Sequence, residues 1–179
     1  AIGDLDFEGW SPEKPFHRKK PKNEFQKLMR SGLGENWRKH SLTDHQFSNH
    51  TKRIVEKFEA MHNNGGRVPE HLKTKKFNQR VVPRRWGDST PSIPATSLPD
   101  DYVHYARPRT FSVREWARIQ TFPDDHIFCG KRTTGGSRRA GIPSKGIWDR
   151  EVPKYTQVGN AVPPLLAKAI GEQISNILA

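Results

Sequence analysis

The chain of 179 residues has a single cysteine, Cys129. That excludes an intrachain disulfide and a zinc site built on several thiolates, and it fits a reducing cytosol. Hydrophobic residues are scarce at 32%, while Gly and Pro number 14 each, so any core is small and loop-rich. No run approaches the roughly 18 apolar residues of a membrane span, and nothing after Ala1 resembles a signal segment. No internal repeat is present. The eight histidines show no metal-ligand spacing: His40, His45 and His50 lie five apart and would point different ways on a helix. Gly32-Leu33-Gly34 lacks the preceding strand and the third glycine of a phosphate loop. Cys129, between Phe128 and Gly130, has no charged neighbour to activate it as a nucleophile. A self-contained active site is not visible.

What is abundant is positive charge. Lys and Arg total 31 against 19 acidic residues, a net charge of +12. On so short a chain this points to a polyanionic partner, because each neutralised phosphate releases counterions. A solubilising surface is the alternative reading.

Residues 10 to 22 are rich in Pro and Lys and read as an exposed loop. Phe25, Leu28, Met29 and Leu33 follow at helical spacing, with Gly32 and Gly34 as a stop. A second helix is predicted from near Ser48, with Ile54, Val55, Phe58 and Met61 on one face and Asn63-Asn64-Gly65-Gly66 at its end. Val81-Val82, Ile93 and Tyr102-Val103 read as short irregular strands. Ser112-Val113-Arg114-Glu115 spells a capping box; Val113, Trp116, Ala117 and Gln120 then share a face, and Phe122-Pro123 stops the helix. Residues 130 to 146 are polar and rich in Gly, Lys and Arg. Pro163 and Pro164 open a last helix with a stripe of Leu166, Ile170, Ile174 and Ile177, which needs a surface to cover.

Residues 109 to 124, from Arg109-Thr110-Phe111-Ser112-Val113-Arg114-Glu115 through Gln120-Thr121-Phe122-Pro123-Asp124, resemble motif IX of the DNA cytosine-5 methyltransferases. Gln157-Val158-Gly159-Asn160-Ala161-Val162-Pro163-Pro164 resembles their motif X. Pro91-Ser92-Ile93-Pro94-Ala95-Thr96 is similar to a third family segment, and Ala1-Ile2-Gly3-Asp4-Leu5 to the stretch where the family's target-recognition region begins. The family's Gly-rich cofactor loop, Pro-Cys nucleophile and Glu-Asn-Val motif do not occur.

The resemblance implies an α+β chain. A small irregular target-recognition domain would span residues 1–154, and residues 155–179 would carry motif X and a helix docking on a Rossmann-like α/β catalytic domain that lies elsewhere. It implies DNA recognition and completion of the cofactor site in an enzyme that flips cytosine from the duplex and methylates C5 from S-adenosylmethionine, in a restriction-modification system. The catalytic half would be fused upstream or a separate subunit, and this segment by itself is expected to be inactive. A stand-alone DNA-binding module is the competing reading. Asn160 and Val162 would touch the cofactor, against the alternative of a plain helix entry. Arg114, Glu115 and Arg118 would brace the recognition region, with Arg114 expected to partner a buried carboxylate. Arg132, Arg138 and Arg139 in the glycine-rich loop, and Arg80, Arg84 and Arg85, are the DNA-contact candidates; a solvated loop is the alternative for the former. Ser92 and Thr96 offer hydroxyls to phosphates.

If the charge is a phosphate footprint, log affinity for duplex DNA falls against log salt with a slope near −0.9 per neutralised phosphate. Replacing Arg132, Arg138 and Arg139 by Ala should flatten that slope in a salt titration. An unchanged slope moves the contact surface to the Arg80 to Arg85 cluster.

Overall fold

The computed structural model describes residues 1–7, 9–73, 79–85, 101–133, 142–146, 148 and 151–178. Ile93, Ser92, Thr96, Arg138 and Arg139 lie outside them. Among the described residues are five α-helices: α1 (Glu24–Met29), α2 (Lys52–Asn63), α3 (Val113–Ile119), α4 (Lys154–Asn160) and α5 (Pro164–Leu178). Two short strands, β1 (Arg80–Val81) and β2 (Tyr102–Val103), pair in parallel with Arg80 opposite Tyr102 and Val81 opposite Val103. This is an α+β arrangement. No described helix is long and apolar enough to cross a membrane.

α1 begins where Asn23 Oδ1 accepts from the Gln26 amide, 2.9 Å away. The expected helix through Leu33 breaks at Arg30, with φ −102°, and continues only as a 3₁₀ turn over Ser31–Leu33. The break turns the Arg30 side chain inward, where it is buried against the Asp4 carboxylate. Leu28 is left on the exposed side and Gln26 takes the buried place. α2 starts at Lys52 rather than near Ser48, because the Ser48 hydroxyl is engaged by Arg132 and does not cap a helix. Its Phe58 and Met61 are buried with Val68 and Val103 in a small satellite core. The expected Asn-Gly stop is present: Gly65 and Gly66 take φ of 60° and 80°, a region glycine enters without steric cost.

The main core gathers around α3. Trp116 packs against Tyr102 and Phe111, ring centroids 5.4 and 4.8 Å away. Leu5, Leu42, Val82, Phe122, Phe128, Tyr155 and Val158 close the cluster. Every residue from Val113 to Arg118 is buried, so α3 hides its charged side chains as well as its apolar ones. Arg118 reaches Asp124 Oδ2 at 2.5 Å and Asp4 Oδ1 at 3.1 Å, and Arg30 pairs with the same two carboxylates. Two guanidiniums thus neutralise two carboxylates in the interior.

Arg114 corrects an expectation. It does not chiefly serve a carboxylate: its guanidinium donates to the carbonyls of Thr43, Pro123 and His126 and to Thr43 Oγ1, with Asp44 no nearer than 3.8 Å. The reason is geometric, since those three carbonyls converge where the chain wraps the end of α3. The buried carboxylate of Glu115 is matched instead by Arg109.

Arg118→Met keeps the side-chain volume but leaves two buried carboxylates to Arg30 alone. Urea denaturation should show a loss of about 3–5 kcal/mol. Removing the exposed Lys27–Glu24 pair should change stability by less than about 1 kcal/mol. A loss below about 1 kcal/mol for Arg118→Met would show that the buried network holds nothing together.

Candidate functional site

The helix of motif IX is anchored first by its own cap. Ser112 Oγ accepts from the Glu115 amide at 3.1 Å, and Glu115 Oε2 accepts from the Ser112 amide at 2.8 Å. Arg109 then grips the carboxylate with two hydrogen bonds of 2.8 Å. Burial by itself would raise the pKa of Glu115, but the hydrogen bonds and charge of Arg109 overcome it and hold the group at about 2. The back of the Arg109 guanidinium lies on Phe47, 3.9 Å from the ring centroid.

Three histidines enclose this anchor. His45 stands between Ser112 Oγ and the Leu5 carbonyl, 3.0 Å from each. Because the Leu5 carbonyl can only accept, Nε2 carries the ring proton and donates to it, which leaves Nδ1 of the neutral ring to accept from the Ser112 hydroxyl. His104 Nδ1 accepts from the Ala106 amide, and its Nε2 lies 3.5 Å from Glu115. His50 Nε2 accepts from the Thr110 amide. Burial, opposed in part by the Glu115 charge, pushes both His45 and His104 down to about 4. His17, buried beside Arg30 and Asp124, is pushed to about 3, first by burial and then by the Arg30 charge. Neither of its ring nitrogens has a hydrogen-bond partner among the described residues. No metal-binding group of His, Cys, Asp or Glu occurs among the described residues.

Motif X falls on α4 and the link that follows. α4 packs on α3, and Tyr155 and Val158 lie in the main core, with the Tyr155 hydroxyl donating to the Phe111 carbonyl at 2.7 Å. Gln157 Nε2 donates to the carbonyls of Cys129 and Val152, both at 2.9 Å. Asn160 is the last residue of α4 and exposed, so the turn begins after it. Val162, in the link to α5, is 63% exposed. An amide and an apolar side chain are thereby exposed two residues apart in the chain. The α5 stripe of Leu166, Ile170, Ile174 and Ile177 is uncovered, each side chain at least 50% exposed.

The DNA-contact candidates occupy different surroundings. Arg80 donates to the Tyr102 hydroxyl at 2.9 Å and lies over its ring. Arg84 sits by Tyr105 on a cleft of about 500 Å³ lined also by Ala1, Ile2, Val82 and Phe111, and Arg85 is exposed. Arg132 is half-buried and donates to the Gln46 carbonyl and Ser48 Oγ, which sets the start of the glycine-rich loop on the 46–48 segment. Sequence reasoning missed Arg109, His45 and His104, whose partners are identified by the fold. For Arg109 the only signal was its place three residues before the capping box.

The model of the C-5 cytosine-specific DNA methylase family matches residues 4–176. The chain belongs to that family. Among the relatives of this methylase chain, the type II methyltransferase M.DdeI of Desulfomicrobium norvegicum is 33% identical over 170 residues, covering 87% of this chain and 36% of that protein. M1.HphI of Haemophilus parahaemolyticus is 34% identical over 135 residues, covering 74% and 31%. M.AquIB of Picosynechococcus is 33% identical over 138 residues, covering 76% of this chain and 90% of that protein. The chain thus spans about a third of the first two relatives and nearly all of the third.

The buried histidines set the pH response of this scaffold. With folded pKa values of about 3 for His17 and about 4 for His45 and His104, all three are neutral when folded and take up protons on unfolding below pH 6.5. Their contribution is fully present above 6.5 and lost as pH falls, at up to about 1.4 kcal/mol per pH unit for each. Glu115 adds to the loss only below its ordinary value of 4.5. Urea denaturation should be flat from pH 8 to 7 and steepen between 6.5 and 5. A profile level down to pH 5 would mean these rings are solvated or paired.

Proposed function

We propose that this chain is the DNA-recognition and cofactor-closing part of a DNA (cytosine-5-)-methyltransferase of a restriction-modification system. The observation that carries this reading is the uncovered apolar stripe of α5 immediately after the exposed Asn160 and Val162. A side chain of this kind gains roughly 1.5–3 kcal/mol on full burial, so four in a row call for a partner surface. The partner is a Rossmann-like α/β catalytic domain carrying the Pro-Cys nucleophile. The matched relatives that are about three times as long as the aligned stretch leave room for such a domain.

Asn160 and Val162 then form one edge of the cofactor site. The pairing of a hydrogen-bonding amide with an exposed apolar side chain fits S-adenosylmethionine, a ligand with both polar and apolar faces. S-adenosylmethionine supplies the methyl group when bound; the residues of this chain close its site and exclude water. The target cytosine must leave the stack before C5 can react, and the recognition region holds the duplex while it does so. Arg80, Arg84, Arg85, Arg132, Arg138 and Arg139 serve phosphates or guanine edges, and Ser92 and Thr96 serve phosphates. Arg114, Glu115 and Arg118 brace the scaffold from within.

A two-chain enzyme, with this chain as its second subunit, is favoured by one observation. M.AquIB is matched over 90% of its length, so a chain about as short as this one bears a methyltransferase name. Fused and split forms share the same chemistry at this surface.

The test is methyl transfer from labelled S-adenosylmethionine to mixed-sequence duplex DNA. The chain by itself should transfer nothing, and a Pro-Cys-bearing catalytic half, joined or co-expressed, should establish activity. Transfer by the chain alone that survives Cys129→Ser would overturn the proposal. So would a reconstituted enzyme that ignores Leu166→Asp and Ile170→Asp on the α5 stripe.

A further inference from the structure

α3 ends in a way its sequence does not favour. Gln120 is its C-cap, the Phe122 amide donates to the Ala117 carbonyl at 2.8 Å, and the Thr121 amide donates to the Arg118 carbonyl at 3.2 Å. This is the Schellman pattern, in which the residue after the cap takes the left-handed conformation and is usually glycine. Here it is Thr121, with φ 66°. A β-branched residue is a genuine outlier in that region, and such strain persists where surrounding contacts over-determine it.

The contact that Thr121 makes from this position is specific. Its Oγ1 accepts from the amide of Leu165 at 3.1 Å. Leu165 is the second residue of α5, where amides have no partner within their own helix, and the preceding Pro163 and Pro164 offer no side-chain cap. Thr121 therefore caps α5 from another part of the chain. The adjacent Gln120 acts on the other side of the link: its Nε2 donates to the carbonyls of Val158 and Ala161, at 3.3 and 3.0 Å. These two carbonyls bracket Gly159 and Asn160. Consecutive residues of motif IX thus hold the end of α4 and the start of α5, with Asn160, Ala161 and Val162 between the two grips.

We propose that Gln120 and Thr121 are positioning residues that clamp the α4–α5 elbow and so fix where Asn160 and Val162 present themselves. The strained backbone of Thr121 is the means of aiming a hydroxyl at α5 from the end of a helix whose other side chains are committed to the core. The clamp stands on the geometry above; its consequence for the cofactor rests on the assignment of Asn160 and Val162 made under the proposed function. Neither residue touches the cofactor.

The deciding variant is Thr121→Gly in the intact methyltransferase that contains this chain. Glycine is the residue the left-handed position favours, so α3 keeps its ending while α5 loses its cap. The thermal midpoint should stay near that of the parent enzyme. Hydrogen exchange followed by mass spectrometry should quicken over residues 158–168. The dissociation constant for S-adenosylhomocysteine should rise roughly five- to tenfold, the loss expected for about one hydrogen bond. Duplex-DNA affinity at fixed salt should not move. Thr121→Ser restores the hydroxyl and should restore both exchange and ligand affinity. Gln120→Glu, which places an acceptor against two carbonyls at unchanged size, should quicken exchange over the same peptides. Parent-like exchange in Thr121→Gly overturns the clamp at Thr121, and parent-like exchange in Gln120→Glu overturns it at Gln120. Quickened exchange with unchanged S-adenosylhomocysteine affinity upholds the clamp and removes Asn160 and Val162 from the cofactor site, so the two readings fail separately.

Discussion

A helix that buries two arginines and a glutamate dictates how this chain closes on itself. Residues Val113 to Arg118 of α3 are all inside the protein, and a charge taken from water must find a partner or forfeit several kcal/mol. Each partner comes from a different place in the chain. Arg118 is met by Asp4 and Asp124, with Arg30 completing the exchange. Arg114 gathers the carbonyls of Thr43, Pro123 and His126. Glu115 takes Arg109 and the Ser112 amide. Satisfying one seven-residue helix thereby fixes the amino-terminal segment, the turn after α1, the turn at Thr43 and Asp44 and the loop beyond Phe122.

The apolar contacts follow that frame. Trp116 packs on Tyr102 and Phe111, and Ala117, Leu5, and Tyr155 and Val158 of α4 share the same cluster. α4 is consequently part of the main core, while α5 makes its described polar contact with the rest of the chain through the Leu165 amide and leaves its apolar face in solvent. The elbow between these helices divides a satisfied surface from an unsatisfied one. Asn160 and Val162 lie on that dividing line, both exposed.

Charge divides in the same manner. The arginines of motif IX are consumed by the interior, whereas Arg84 and Arg85 are exposed. Arg132 is intermediate: it holds the 46–48 segment with one nitrogen. The exposed positive charge and the rigid frame are therefore supplied by different arginines, and their substitution has different consequences.

Much was legible in local sequence. The capping box at Ser112 and Glu115, the Asn-Gly end of α2, the period of the α5 stripe and the motifs around Gln120 and Asn160 each depend on residues a few positions apart, where backbone geometry is nearly determined by residue type. Local pattern misplaced the start of α2 and ran α1 too far, because the Ser48 hydroxyl and the Arg30 guanidinium answer to Arg132 and Asp4 instead of to their neighbours. Nor could it show that Arg114 serves carbonyls, that Glu115 belongs to Arg109, or that His45 completes the cap of a helix 67 residues away. Burial decides these matters, and burial is a property of the whole chain: once α3 lies inside, its charged side chains must be answered by whichever groups the fold brings within about 3 Å. The sequence by itself determined the elements and the family; the tertiary structure alone decided which charges hold the frame and which are left to meet a partner.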